Sequence, residues 1–287
     1  ESDEDNNEET EDIAVSYPPI LLLDDDNSGN NGGSRTETDS YYANALDNLT
    51  NPIAYDIVRV NSSADAPGID VLSEYQMIIW VCGTDYQSGD TDVTFTDNDK
   101  SNVAEYLEDG GAMWVIGMDI LYDFDTSDGD RSAGDFEHDY LGVSYADNDR
   151  ATPAVVYGVD DDPISDGIEY NADAISSDFA DDIDPRSGFE KVLSSNGDYN
   201  ISTIRTEDEF KLVFMTIDFS SITSSDNRDE FMENVVEYLV EQLENDVSLS
   251  RFNTPKDEET VEPNVENIVN VTVRNRGTED QDSIQVP

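Results

Sequence analysis

Residues 96–119 read "TDNDKSNVAEYLEDGGAMWVIGMD". Thr96 is a good N-cap, and Val103, Tyr106 and Leu107 fall on one face of the helix that follows. Gly110–Gly111 stops that helix. The run "AMWVIG" then has no polar alternation and is too short for a helix of its own, so it reads as a strand buried on both faces. A helix that leads directly into such a strand is half of a βαβ unit.

The same grammar extends in both directions. Upstream, "PPILLL" (18–23), "AYDIVRV" (54–60) and "YQMIIWVCG" (75–83) read as strands. "TDSYYANALDNL" (38–49) is a helix behind Thr38 and Asp39, with Tyr41, Tyr42, Ala45, Leu46 and Leu49 at helical spacing. Downstream, "GFEKVLSS" (188–195), "YNISTIR" (199–205) and "KLVFMTIDF" (211–219) are further strands. "NRDEFMENVVEYLVEQL" (227–243) is a closing helix with Phe231, Val235, Tyr238 and Leu239 on one face. The pattern predicts an α/β fold with a doubly wound, mostly parallel sheet and right-handed crossovers. An irregular insertion is expected at about 120–190, with a short helix in "DFEHDYLG" and a strand in "AVVYGV". Residues 1–16, almost all acidic or amide, form a tail too polar to order itself. Residues 246–287 alternate apolar and polar side chains at period two, as the start of an antiparallel β-sandwich does. A whole sandwich needs about 100 residues, so the strands are expected to continue beyond Pro287 rather than be completed by another subunit.

The chain has 287 residues, with 68 Asp+Glu against 14 Lys+Arg, for a formal net charge of −54. Self-repulsion at that charge destabilises a compact state in dilute salt. At molar salt the Debye length falls to about 3 Å and the repulsion is screened. Acid excess with few lysines resembles proteins of extreme halophiles, archaeal ones above all. The rival reading is a calcium-loaded or glycan-associated surface protein from ordinary salinity. Nucleic acid is excluded as a partner by the lack of a basic footprint. No apolar run is long enough to be a membrane-spanning helix. Cys82 is the single cysteine, so no intrachain disulfide forms. Asn48, Asn61, Asn200 and Asn270 head Asn-X-Ser/Thr sequons and are candidate glycosylation sites.

The order of "ILLLDDD", "SYYANALDNL", "YQMIIWVCGTD", "VAEYLEDGGAMWVIGMDI", "DFEHDYLGVSY" and "KLVFMTIDFSSI…RDEFMENVVEYL" resembles class I glutamine amidotransferase-like domains. It is most similar to the variants embedded in large secreted bacterial and archaeal proteins, over roughly residues 17–243. The tail, with "VTVRNRG", is similar to the CARDB-type immunoglobulin-like modules that follow such domains. The resemblance implies a flavodoxin-like sheet and a nucleophilic Cys at the turn after the "GG" helix and its strand. Here that turn reads Gly117-Met118-Asp119, and a thioether cannot become a nucleophile. The family's His–Glu pair is implied at "TIDFSS" (216–221), which holds no His. The resemblance therefore implies the fold without the amidotransferase dyad and assigns no catalytic residue.

Cys82, on an apolar strand, reads as a small buried hydrophobe, and His138 lies between Glu137 and Asp139, so a Cys–His nucleophile pair is the weaker reading. One Cys and one His do not make a zinc site. Asp24-X-Asp26-X-Ser28-Gly29 has the opening of a calcium loop, although Arg35 stands where an EF-hand needs Glu. Asp123-X-Asp125-X-Ser127 is a similar fragment. Asp24, Asp26, Asp85, Asp119 and Asp218 all follow predicted strands. Such strand ends line the ligand edge of a doubly wound sheet, so these residues and Ser28 are the candidate ligands for Ca²⁺ or Mg²⁺. A paired-carboxylate glycosidase is a further use of that edge, but nothing singles out one acid. Together these readings predict a non-enzymatic surface protein of a halophilic archaeon, in an S-layer, sheath, filament or adhesin. Its partners are expected to be copies of itself, other surface proteins or glycans. The alternatives are an accessory domain of a secreted hydrolase, or a sugar- or small-ligand-binding module.

Overall fold

The computed structural model describes residues 20–28, 37–61, 64–83, 94–150, 154–172, 180–195, 199–206, 210–240, 247–254 and 270–275. Chain contacts separate two units, Pro18–Glu241 and a second that includes Gln242–Pro287.

In the first unit five strands run parallel: β1 (Ile20–Asp24), β2 (Tyr55–Arg59), β3 (Met77–Gly83), β4 (Ala112–Gly117) and the late strand β12 (Lys211–Met215). Their order across the sheet is β2-β1-β3-β4-β12. Between them lie α1 (Asp39–Asp47), the single turn α2 (Ile69–Leu72) and α3 (Asp97–Glu108). After β4 come α4 (Ile120–Phe124), β5 (Gly129–Asp130), α5 (Phe136–Asp139), β6 (Val143–Arg150), β7 (Val155–Gly158), β8 (Glu169–Asn171), β9 (Ala180–Pro185), β10 (Phe189–Ser195) and β11 (Tyr199–Thr206). A 3-10 turn (Phe219–Ser221) and α6 (Ser225–Leu239) follow β12.

Here the expectation of a mostly parallel sheet is corrected. Beyond β12 the sheet continues β11-β10-β7-β8, and every one of these pairings is antiparallel. A three-stranded sheet, β5-β6-β9, is antiparallel as well. Among the described residues, antiparallel pairings therefore outnumber parallel ones. The reason is local. A parallel neighbour requires a crossover of a dozen or more residues, and only three residues separate β10 from β11 and four separate β11 from β12. Strands joined that closely fold back on each other.

The parallel half is covered on both faces. Ile20, Leu22, Met77, Ile79, Val81, Trp114 and Ile116 point to one side, where Tyr42, Ala45 and Leu46 of α1 and Phe231, Met232, Val235 and Leu239 of α6 cover them. Leu21, Leu23, Ile78, Trp80, Cys82, Met113 and Val115 point to the other, against Val103, Tyr106 and Leu107 of α3 and Val143 and Ala146 of β6. Alternate residues of one strand thus feed two cores, which is why these strands read as unbroken apolar runs. α3 opens with a full capping box: Thr96 Oγ1 accepts from Asp99 N at 3.2 Å, and Asp99 Oδ2 accepts from Thr96 N at 2.9 Å. In the second unit β13 (Val247–Thr254) and β14 (Asn270–Asn275) pair antiparallel. The expected last strand, "DSIQVP", lies outside the described residues.

Candidate functional site: the carboxyl edge of the parallel strands

β1 ends on three aspartates, and the pleat sends them to different partners. Asp24, the last residue of β1, lies directly across the ladder from Arg59 of β2. Its Oδ2 is 3.3 Å from Arg59 Nε. The same guanidinium donates from Nη2 to Asp39 Oδ2, in the first turn of α1. Glu37 completes the group, since one oxygen each of Asp24, Glu37 and Asp39 lies within 4.8 Å of the others. Burial pushes the Glu37 carboxyl up, the Ser28 hydroxyl bonded to it at 3.0 Å pulls it down, and the charges of Asp26 and Asp39 push it up again. Arg59 is held more basic than usual, mainly by its bond to Asp39. Arg59 thus occupies the place a cation would take among these three acids.

Asp25 faces the opposite core and accepts a hydrogen bond from Trp80 Nε1 at 3.1 Å. The Trp80 ring stacks on Phe95 with centroids 4.6 Å apart.

Asp26 is fully buried and accepts three hydrogen bonds. Its Oδ1 takes the Ser28 N–H at 2.9 Å, and its Oδ2 takes the Thr38 N–H at 3.0 Å and the Thr38 hydroxyl at 3.1 Å. The carboxylate therefore joins the chain leaving β1 to the chain entering α1. Gly83, at φ +60°, lets this happen: a Cβ there would lie 2.8 Å from Asp26 Cβ and 3.1 Å from Thr38 Oγ1.

Asp218 follows β12 and caps the 3-10 turn, its Oδ1 accepting the Ser220 N–H at 2.6 Å. Its side chain is fully buried and Oδ2 accepts no hydrogen bond. Burial is the main cause that lifts its pKa to about 6; the Ser220 N–H opposes this and the Asp26 charge adds to it. Tyr42 of α1 is also fully buried, in edge and tilted contact with Trp114 and Phe219. Burial, then the charge of Asp218, push its hydroxyl well above the ordinary tyrosine range, and the Phe219 N–H approaching the hydroxyl pulls the other way.

After β4 the chain turns through Met118, whose N–H donates to Gly83 O at 3.0 Å, and Asp119. Asp119 has φ 58°, so the left-handed residue of this strand-to-helix turn is an aspartate. Met118 and Asp119 are both 2% exposed. Cys82, on β3, is fully buried and so close to β4 that a Cβ on Gly117 would lie 2.6 Å from its own. His138, on α5, bonds through Nδ1 to Asp139 Oδ1 at 2.7 Å.

The sequence-derived ligand set therefore divides. Asp24 belongs to the Arg59 group, and Asp26 and Asp218 act on each other electrostatically beside Tyr42. Asp119 sits at the β4 turn, and Ser28 donates to Glu37 instead of joining Asp24 and Asp26 around one point. Asp85 lies outside the described residues. In the second calcium-like fragment, Asp125 Oδ1 caps Ser127 N at 2.9 Å and its Oδ2 faces Arg131 Nη1 at 3.8 Å. Asn48 and Asn61 are exposed, Asn48 Nδ2 donating to Asp229 at 2.9 Å. Asn200 lies on β11 and Asn270 on β14, and the side chains of both are outside the described residues. Glu37, Asp39, Arg59 and Tyr42 were missed as site residues. One signal was present, since an arginine on a strand stands out in a chain with 14 basic residues.

No protein-family model matches the chain, and no curated protein matches it. Solved structures do. A β-galactosidase from Rahnella sp. R3 is similar at 12% identity and a TM-score of 0.49, over 78% of this chain and 31% of that one. A ThuA-like protein from Bacteroides uniformis is similar at 13% identity and a TM-score of 0.45, over 80% and 94%. A glutamine amidotransferase from Thermotoga maritima is similar at 11% identity and a TM-score of 0.47, over 79% and 100%. The chain thus spans about a third of the galactosidase it matches.

Proposed function

We propose that this chain is a non-catalytic scaffold module carried on the outside of a halophilic archaeon living in high salt. One observation carries the reading. The strand ends where an α/β sheet ordinarily receives its ligand are filled by the chain's own contacts. Asp26 fastens a loop, Arg59 joins Asp24 to Asp39, and Met118, Asp119 and Cys82 are buried. Carboxylates engaged in this way position backbone and leave little edge for a substrate. The net charge of −54 and the exposed sequon residues Asn48 and Asn61 support the extracellular, high-salt setting. Among the described residues no helix is long and apolar enough to cross a membrane. Attachment would then fall to parts other than these helices, and β13 and β14 would begin the spacer module.

Protease treatment of intact haloarchaeal cells expressing the chain tests this, with mass spectrometry of the Asn48 and Asn61 peptides. Cleavage from intact cells and glycan mass on either peptide are expected. A protein that is protected until lysis and carries no glycan would overturn the surface assignment.

A further inference from the structure

The nine-stranded sheet has two lateral edges, and they end differently. At β8 the chain closes the edge itself: Ala172 bridges Ile222, and Thr223 N–H donates to Asn171 O at 3.0 Å. At the other edge, among the described residues, β2 pairs with β1 alone, along its whole length and without a bulge. The pleat decides which backbone groups that pairing uses. Val60 N–H donates to Asp24 O at 2.9 Å, and Ala54 O accepts from Ile20 N–H at 3.0 Å, so the even-numbered residues turn their polar groups towards β1. Alternation then points the N–H and C=O of Tyr55, Ile57 and Arg59 away from the sheet. Such a row is a template for another strand, and proteins ordinarily blunt it with charge, proline or a bulge. Here residues 53–60, "IAYDIVRV", hold one Asp and one Arg, and are therefore neutral in a chain of net charge −54. Ile57, at the centre of β2, is 37% exposed.

We propose that β2 is a dimerisation edge whose occupant is β2 of a second copy, antiparallel about a twofold axis through Ile57. A twofold axis normal to the sheet keeps each face on its own side, so only residues of equal parity come opposite each other. Centring on Ile57 sets Tyr55 against Arg59 of the other copy, Ile57 against its counterpart and Asp56 against Val58. Every outward N–H then meets an outward C=O, and no acid faces an acid. A register centred on Asp56 would oppose two aspartates, which is unfavourable. One centred on Val58 would carry Tyr55 past the end of the facing strand. The acids of α1 that reach β2, Asp39 and Asp47, are bonded to Arg59 and Tyr55 of their own copy. The charge selects the partner: two polyanions repel each other, and this strip lets two copies approach without opposing acids. The pairing joins the two sheets into one.

Sedimentation equilibrium of the full chain tests this in 2 M KCl, where the Debye length is below about 3 Å. Between about 1 and about 300 µM the average mass should climb from one chain towards two. Ile57→Pro removes an outward N–H and none that bonds β1, a place where an edge strand tolerates proline. It should raise the dissociation constant at least about tenfold. Ile57→Cys puts two thiols on the axis with Cα atoms about 5.5 Å apart, within disulfide reach, and mild oxidation should crosslink the dimer. Asp56→Cys would stand about 8 Å from its counterpart and should crosslink at least about tenfold more slowly. The native Cys82 is buried and does not compete. The cysteine pair decides the matter if Ile57→Pro shows no native circular dichroism. A mass that stays at one chain throughout would overturn the proposal and assign the edge to a different occupant. An unchanged dissociation constant in folded Ile57→Pro, or equal crosslinking of the two cysteine variants, would overturn it as well.

Discussion

Replacing Asp218 by Asn isolates one titration in a molecule with 68 acids. Asn keeps the Oδ1 acceptor that Ser220 N–H uses at 2.6 Å, so the cap of the 3-10 turn survives. What the variant loses is the proton equilibrium. In the folded protein Asp218 titrates at about 6, against 3.8 for an unperturbed aspartate. The folded state therefore binds the proton more tightly than the unfolded one. The stabilisation from protonated Asp218 is complete below pH 4 and is lost as pH rises to about 6. Two pH units at 1.36 kcal/mol each amount to about 3 kcal/mol, and a fully buried group needs no discount for solvent screening. For a chain of this size that corresponds to roughly 6–12 °C in Tm. The assay is thermal unfolding of both proteins from pH 4 to pH 8, at fixed molar salt with EDTA, read as the difference between them. The other titrations cancel in that difference, and any pH-independent cost of the new amide appears as a constant offset. The variant should gain about 3 kcal/mol on the wild type between pH 4 and pH 7. A difference that stays flat, or that moves in favour of the wild type as pH rises, would refute the reasoning.

Three further outcomes follow from the same edge and from the overall charge. Arg59→Met leaves Asp24, Glu37 and Asp39 without their guanidinium; because Arg59 is 43% exposed, the cost should be about 1–2 kcal/mol, well short of that of a buried pair. Chemical denaturation should show that loss shrinking as salt rises, and a loss independent of salt would count against the electrostatic account. Asp26→Ala removes an acceptor of three hydrogen bonds and strands the Ser28 and Thr38 N–H groups, for roughly 3 kcal/mol by the same measurement. For the chain itself, raising KCl from 0.1 to 2 M shortens the Debye length from about 10 Å to below about 3 Å. Tm should climb steeply over that range, and a fully native, heat-resistant protein in dilute buffer would contradict a halophilic design.

The parallel half of the sheet was legible because its strands serve two cores at once. Leu21 and Leu22, or Trp114 and Val115, point to opposite sides and both need apolar partners, so the run carries its own signature. Thr96 and Gly110–Gly111 marked the ends of α3 in the same direct way. The antiparallel half departs from the expected parallel order because the chain between its strands is too short to make crossovers. "SSNGDY" between β10 and β11 carries the Asn-Gly of a tight hairpin, and "TEDEFK" leaves no room for a helix before β12. The acids were legible as strand-end residues, but their partners were not. Whether Asp24 meets a metal or Arg59 depends on the pairing of β2 beside β1, and Asp26 and Asp218 are 192 positions apart along the chain. Periodicity has no access to either relation. Tyr42 illustrates the same limit: helical spacing correctly placed its ring in the core, and said nothing of the hydroxyl at the ring's far end.

The Asp26 carboxylate, bonded at once to Ser28 and to Thr38, has a bearing on how the chain tolerates insertions. One side chain holds Ser28 and Thr38 together, and the Ser28 hydroxyl bonded to Glu37 adds a second tie across the same ends. Doubling the length of the segment between them would add only about 0.6 kcal/mol of closure entropy. Residues inserted between these ends would therefore change stability little, provided Asp26, Ser28, Glu37 and Thr38 are retained. For an engineer, that closed pair of ends is a position at which an insertion is held from both sides by the protein's own bonds.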